Sequence, residues 1–312
     1  VSDIKLFRVT EAQAQEMHGA ALAVERRLQV LIENNLDVML GVRFLASEHS
    51  TGPVHGGRID TLGIDENGSP VILEYKRATN ENVINQGLYY LDWLLDHRGD
   101  FTMLAAARLG PEVAEAIDWS TPRLVCIAGD FTRYDEHAVS QIGRNIELYR
   151  YRSYDDGFFL LELVNRPTGA YASLPGPRAP APDAGAGSGT PTRTPRTVSD
   201  FLGIASEGLR ERYEALDGFL TALGDDVSLK VNKNYFAYRR IKNFACVEVH
   251  TRTEQLVLFL KVDPDEVAIE EGFTRDVRNI GHFATGDLEV RLSTPEDLER
   301  AKPLVERSYH AS

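Results

Sequence analysis

Hydrophobic spacing divides the chain into segments of two kinds. From Asn80 to Asp96 the apolar residues Val83, Ile84, Leu88, Leu91, Leu94 and Leu95 fall mostly three and four apart, which predicts an amphipathic helix. Thr79 or Asn80 can cap it, with the carboxylate of Glu81 in its first turn. A helix is also predicted over Glu11–Asn35, from Leu22, Val24, Leu28, Val30, Leu31 and Ile32. Between these two lie three shorter runs that read as strands: Leu40–Ser47, Gly57–Asp65 and Ser69–Lys76. Helical stretches return at Arg108–Ile117 and Asp135–Gly143, on either side of a buried strand at Arg123–Ala128. Strands at Asn145–Arg152 and Phe158–Val164 close the region. This order predicts an α/β fold, a mixed sheet flanked by helices.

The later pattern is different. Helices are predicted at Val198–Leu202, Ser206–Leu223 and Pro295–His310, the last capped by Ser293 or Thr294. Strands are predicted at Val227–Val231, Tyr235–Ile241, Ala245–Thr251, Gln255–Val262 and Asp287–Leu292, giving a second, α+β domain. Residues 167–197 hold seven of the fourteen prolines and five glycines, too little apolar surface to fold. The division expected is therefore 1–166, a linker at 167–197, and 198–312. At 312 residues the chain has length for two domains.

Composition narrows the class. No run approaches the roughly 18 apolar residues of a membrane span, so no membrane association is expected. The first residues show no basic segment followed by an apolar run, so no signal peptide is expected. Two cysteines, Cys126 and Cys246, lie in apolar runs and read as buried free thiols of a reducing, cytoplasmic compartment. The net charge of −13 argues against an electrostatic nucleic-acid coat, though not against a local grip. No Walker or Gly-x-Ser-x-Gly motif occurs.

The chemistry concentrates in Gly57-Arg58-Ile59-Asp60 and Ile72-Leu73-Glu74-Tyr75-Lys76. Glu74 and Lys76 are two apart on a strand and share one face. The preceding strand carries Asp60 and returns through a turn containing Asn67-Gly68. A two-residue turn would put Asp60 and Glu74 on opposite faces. A three-residue loop, Glu66-Asn67-Gly68, pairs Asp65 with Ser69 and sets Asp60 across from Glu74, with Gly68 at the left-handed position such loops favour. That loop is the expectation. Two carboxylates and an ammonium on one face suit metal-dependent phosphodiester hydrolysis: Asp60 and Glu74 as ligands of Mg²⁺ or Mn²⁺, the Tyr75 carbonyl as a further ligand, and Lys76 orienting water or stabilising charge. Lys76 is one of two lysines in residues 1–166, against fourteen arginines. The next helix adds Gln86 and Tyr90, four apart on one face.

The ordered set Gly57-x-x-Asp60, Glu74-Tyr75-Lys76 and Gln86-x-x-x-Tyr90 resembles the PD-(D/E)XK nuclease superfamily, most closely its NucS-like and RecB-like domains, over roughly residues 20–165. The family's proline before the Asp is absent; Ile59 stands there. The resemblance implies a restriction-endonuclease-like fold, a metal on Asp60 and Glu74, and assistance from Lys76, with Gln86 and Tyr90 lining the cleft. It also implies one more carboxylate from the first helix, Glu25 before Glu33. Residues 198–312 resemble a bacterial domain of unknown function that follows such nuclease domains, which implies no mechanism.

Other candidates are fewer. Arg58 and Arg77 flank the motif and suit phosphate contacts. Lys230, Lys233, Arg239, Arg240 and Lys242 interleave with Tyr235, Phe236, Tyr238 and Phe244, a pattern that suits single-stranded or branched nucleic acid. Arg275, Arg278 and His282 form a second polar cluster, and His55 stands alone in a loop. Tyr89, Tyr90 and Trp93 read as core and cleft wall. The function expected is a metal-dependent DNA endonuclease with a recognition domain, able to form a homodimer. The alternatives are a non-catalytic nucleic-acid-binding module, or a defence effector whose C-terminal domain senses a ligand.

Overall fold

The computed structural model describes residues 4–22, 25–76, 83–154, 157–165, 197–282 and 284–312. Arg77, the cap residues Thr79 and Asn80, Glu81, and the predicted linker up to Arg196 lie outside them. Contacts divide the chain into two units, Val1–Ala170 and Tyr171–Ser312.

The first unit begins with a hairpin, β1 (Leu6–Thr10) and β2 (Gln13–Met17). It continues with α1 (Glu25–Asn34), α2 (Leu36–Leu40), β3 (Val42–Ser50), α3 (Gly52–His55), β4 (Arg58–Asp65) and β5 (Pro70–Lys76). Then come α4 (Val83–Asp96), α5 (Arg98–Leu109), α6 (Pro111–Glu115), β6 (Arg123–Ala128), α7 (Arg133–Gln141), β7 (Asn145–Ser153) and β8 (Phe159–Asn165). The six strands β3 to β8 form one sheet in sequence order. The β3–β4, β4–β5 and β7–β8 pairs are antiparallel. The β5–β6 and β6–β7 pairs are parallel, because helices separate each pair in sequence. Every residue of β6, and all of β5 except Lys76, is buried, as expected for strands covered on both faces. The fold is α/β, a mixed sheet flanked by helices.

Two predicted helices need correction. Helix α1 starts at Glu25 rather than Glu11, and Gln13–Met17 pairs with Leu6–Thr10 across a turn in which Glu11 has φ +50°. Residues 11–17 lack large apolar side chains at helical spacing, so nothing favours a buried helical face there. The helix predicted over Arg108–Ile117 is broken at Gly110-Pro111, where Gly110 has φ +98° and Pro111 opens α6. Helix α5 was not predicted, because its buried side includes small Ala105 beside Phe101 and the apolar signal is weak.

The second unit comprises α8 (Val198–Gly203), α9 (Glu207–Ala222), β9 (Ser228–Val231), β10 (Phe236–Arg239), β11 (Asn243–His250), β12 (Gln255–Leu260), β13 (Thr274–Asp276), β14 (Leu288–Leu292) and α10 (Pro295–His310). Its strands form an antiparallel sheet in the order β13-β14-β12-β11-β10-β9. Leu209, Tyr213, Leu216 and Leu220 of α9 and Leu298, Ala301 and Val305 of α10 share one core with Phe236, Tyr238, Val247, Leu258 and Val290. Thr197, assigned above to the linker, caps α8: its hydroxyl accepts from the Asp200 N–H while Asp200 accepts from Thr197. Thr294 caps α10 the same way. The three-residue β13 was not predicted. Cys126 and Cys246 are buried free thiols. Among the described residues, no helix is long and apolar enough to cross a membrane.

Candidate active site

The site is built from one hairpin. β4 and β5 join through Glu66-Asn67-Gly68, the three-residue loop: the Gly68 N–H donates to the Asp65 carbonyl at 3.0 Å and the Asp65 N–H to the Ser69 carbonyl at 2.9 Å. Gly68 has φ +80°, which glycine adopts without steric cost. Oδ1 of Asp65 accepts from the N–H groups of Asn67 and Ser69, both at 2.9 Å. Its Oδ2 meets Arg123 at 3.2 Å, and Glu147 grips that buried guanidinium at 3.1 and 2.8 Å. The loop is thus anchored in the sheet, and the ladder runs Ile64↔Pro70, Gly63↔Val71, Leu62↔Ile72, Thr61↔Leu73. One further step places Asp60 across from Glu74.

At that step the sheet forks. β4 continues as a partner of β3, through His49↔Ile59 and Ser50↔Arg58. β5 continues as a partner of β6, through Glu74↔Cys126 and Lys76↔Ala128. The two carboxylates occupy the fork in place of backbone pairing. The Asp60 N–H donates to Glu74 Oε1 at 3.2 Å, and the Tyr75 N–H donates to Asp60 Oδ2 at 3.0 Å.

This is a costly place for negative charge. Glu74 is fully buried, and its second oxygen, Oε2, has no hydrogen-bond partner. Burial foremost, with the Asp60 carboxylate beside it, pushes its pKa up to about 9. Burial raises Asp60 as well, opposed by the Tyr75 N–H and by Lys76. An orphaned carboxylate oxygen next to a second carboxylate fits a hard cation. Among the described residues, no three His, Cys, Asp or Glu side chains gather into a cage. Two carboxylates with water completing the shell is the usual binding mode of Mg²⁺.

The remaining predicted residues take definite positions. The Lys76 ammonium lies 3.6 Å from Glu25 Oε1, so Glu25 faces the lysine instead of joining the carboxylates in a cage. Tyr75 contributes its backbone N–H; its hydroxyl lies on the opposite face, 3.2 Å from that of Thr61. Glu33 accepts from the Thr61 hydroxyl at 2.7 Å, away from the fork. Gln86 donates to the Tyr90 hydroxyl at 3.2 Å, and that hydroxyl accepts from the Arg58 N–H at 3.2 Å. A Cβ on Gly57 would lie 2.5 Å from the Tyr90 ring, so glycine lets the chain run close against this wall. Three residues escaped the sequence reading. Gln29 donates to the Asp60 carbonyl at 2.9 Å, Arg26 donates to Gln29 at 3.0 Å, and Glu48 pairs with both Arg26 and Arg58. Only the spacing of Glu25 and Gln29, four apart on α1, signals any of them in sequence.

The candidates elsewhere fare differently. Tyr89 is half exposed and donates to the His55 carbonyl at 2.9 Å, while Trp93 is buried and stacks on His97. In the second unit the basic–aromatic reading is overturned by burial. Lys230 and Arg239 are 3% and 2% exposed, and Tyr235, Phe236, Tyr238 and Phe244 are all core. Arg240 pairs with Asp226 at 2.6 Å and lies over the Tyr309 ring. Lys233 is exposed and Lys242 only partly so, which leaves no continuous basic stripe or stacking platform. Both faces of this sheet are covered, so every residue of β10 is buried, and four-residue strands gave too little pattern to show it. Arg278 pairs with Asp265 and Asp276, and His282 bonds the Gly286 carbonyl, so that cluster is a surface ion network.

Residues 198–312 match a family described as a domain of unknown function, DUF5655. An uncharacterized protein of Haemophilus influenzae is 25% identical over 316 residues, covering 98% of this chain and 99% of that one. The crystal structure of a repair endonuclease from Pyrococcus abyssi is similar at 22% identity and TM-score 0.28, over 41% of this chain and 47% of its own. The structure of an EndoMS–dsDNA2 complex is similar at 21% identity and TM-score 0.24, over 41% and 46%. The chain spans about half the length of these solved structures, and likenesses this loose transfer no residue role.

Proposed function

We propose that the first unit is a divalent-cation-dependent nuclease acting on DNA, with its centre at the β4–β5 fork. The observation that carries this reading is the Asp60–Glu74 pair, with Glu74 Oε2 buried and unpartnered and the Lys76 ammonium beside it. Asp60 and Glu74 would hold Mg²⁺ or Mn²⁺, which supplies charge neutralisation for a phosphodiester attacked by water. The chain's own residues set up the rest. The Tyr75 and Asp60 N–H groups fix one oxygen of each carboxylate. Gln29 holds the Asp60 backbone, and Tyr90, steadied by Gln86, holds the Arg58 backbone. Lys76 lies where an ammonium can orient the attacking water or stabilise charge on the phosphate, with Glu25 positioning it.

The test is a cleavage panel over duplex, single-stranded and flapped DNA, and RNA, with Mg²⁺ and Mn²⁺. The expected result is cleavage by the full chain that Glu74→Ala abolishes. Equal cutting by the variant, or none on any substrate, counts against the reading.

A further inference from the structure

Two positions beyond the acidic pair, each of the diverging strands carries a cation: Arg58 on β4 and Lys76 on β5. Arg58 shares a strand face with Asp60, and Lys76 with Glu74. Each cation is met by an acid from another element: Lys76 by Glu25 of α1, and Arg58 by Glu48 of β3. Glu48 also takes Arg26 of α1 at 3.0 Å, so a single carboxylate draws two guanidiniums together. Its own backbone is unusual. The pairs Ser47↔Thr61 and His49↔Ile59 put Glu48 opposite Asp60, yet it has φ +55°, a left-handed conformation that glutamate seldom adopts. The side chain serves the arginines and does not complete a metal cage with Asp60 and Glu74.

We propose that Arg26 and Arg58 form a binding site for a backbone phosphate of DNA, and that Glu48 is the stand-in anion that the phosphate displaces. A carboxylate and a phosphate present the same fork-matching oxygens to a guanidinium. The pairs are easily exchanged, because Arg26 is 56% and Arg58 68% exposed and exposed ion pairs are weak. With Glu48 in place the two guanidiniums outnumber the carboxylate that they share. The trio also adjoins the centre: Arg26 donates to Gln29, which donates to the Asp60 carbonyl. A phosphate held there lies beside the carboxylates. The proposal rests on the nuclease reading and adds how an acidic chain grips its substrate.

The test measures binding of fluorescein-labelled duplex and single-stranded oligodeoxynucleotides to the full chain in Ca²⁺, across a salt series, with Mg²⁺ cleavage assayed in parallel. Glu48→Gln is expected to tighten binding by up to roughly fivefold, the equivalent of releasing one exposed ion pair. Arg58→Ala and Arg26→Ala should each weaken binding and lower the log–log salt slope by about one. Arg58→Lys should keep the slope without full affinity. In the doubly substituted Arg26→Ala, Arg58→Ala background, Glu48→Gln should change nothing. Equal tightening in that background, an unchanged salt slope, or no binding by either oligonucleotide overturns the proposal. Coupling without cleavage leaves the phosphate site standing and removes the nuclease reading; cleavage without coupling does the reverse.

Discussion

Glu74 is a carboxylate held where an ion is poorly tolerated, and its titration can be read without catalysis. Its ordinary pKa is 4.5 and burial beside Asp60 raises it to about 9 in the folded chain. Between those values the folded protein keeps a proton that the unfolded chain has released. The contribution of Glu74 to stability in EDTA is therefore fully present below about pH 4.5 and is lost as pH rises through about 9. Glu74→Gln should flatten that decline in a thermal-melt pH series, and a variant that declines like the wild type would contradict the assignment. At neutral pH, Mn²⁺ should raise the melting temperature of the wild type and not that of Asp60→Ala, because an ion that binds only the folded state stabilises it by mass action. Of the residues named from sequence, Glu74 and Lys76 were legible through a two-residue period on one strand, and Asp60 through the loop length that phases the preceding strand against it. Glu48 was not, because its role depends on a left-handed backbone and on a helix 22 residues away in sequence.

The β4–β5 hairpin works as a phasing element. Shifting it by one residue would send Asp60 and Glu74 to opposite faces. Asp65 resists that slip, since one carboxylate bonds both loop N–H groups and the buried Arg123. Asp65→Ala leaves that guanidinium with less compensation and should cost about 3–5 kcal/mol in urea denaturation. Gly68→Ala meets a positive φ and the Ala116 carbonyl at 3.0 Å, and should cost about 1 kcal/mol or more. Both should weaken Mn²⁺ binding although neither touches the ion. A large stability loss with unaltered Mn²⁺ affinity would separate the loop from the phasing of the site. The loop length could be worked out from sequence because only the odd loop lets the carboxylates meet. The Arg123–Asp65–Glu147 knot could not, because Arg123 and Glu147 become neighbours only when β6 and β7 pair.

At the scale of the whole chain, each unit has its own core and its own sheet. Calorimetry of the full protein should resolve two unfolding transitions, and Mn²⁺ should move only one. One cooperative transition, or a shift of both, would mean that the units are energetically coupled. The net charge of −13 acquires a local reading as well: some of the acid in the first unit crowds one fork, where burial raises both carboxylates, Asp60 raises Glu74 further, and Glu25 and Glu48 hold the cations beside them.

By itself the sequence determined the α/β class, most strand and helix positions, the loop that phases the two carboxylates, and the residues of the fork. All of these follow from local periodicity or from chemistry a few residues apart. Tertiary structure decided what such patterns cannot carry. It made α1 short by pairing Leu6–Thr10 with Gln13–Met17, and it buried Lys230 and Arg239 where a string of basic residues suggested a surface. It also gathered Arg26, Glu48 and Arg58 from three elements. Burial and long-range charge contacts are properties of packed neighbours, and those neighbours are chosen by the fold.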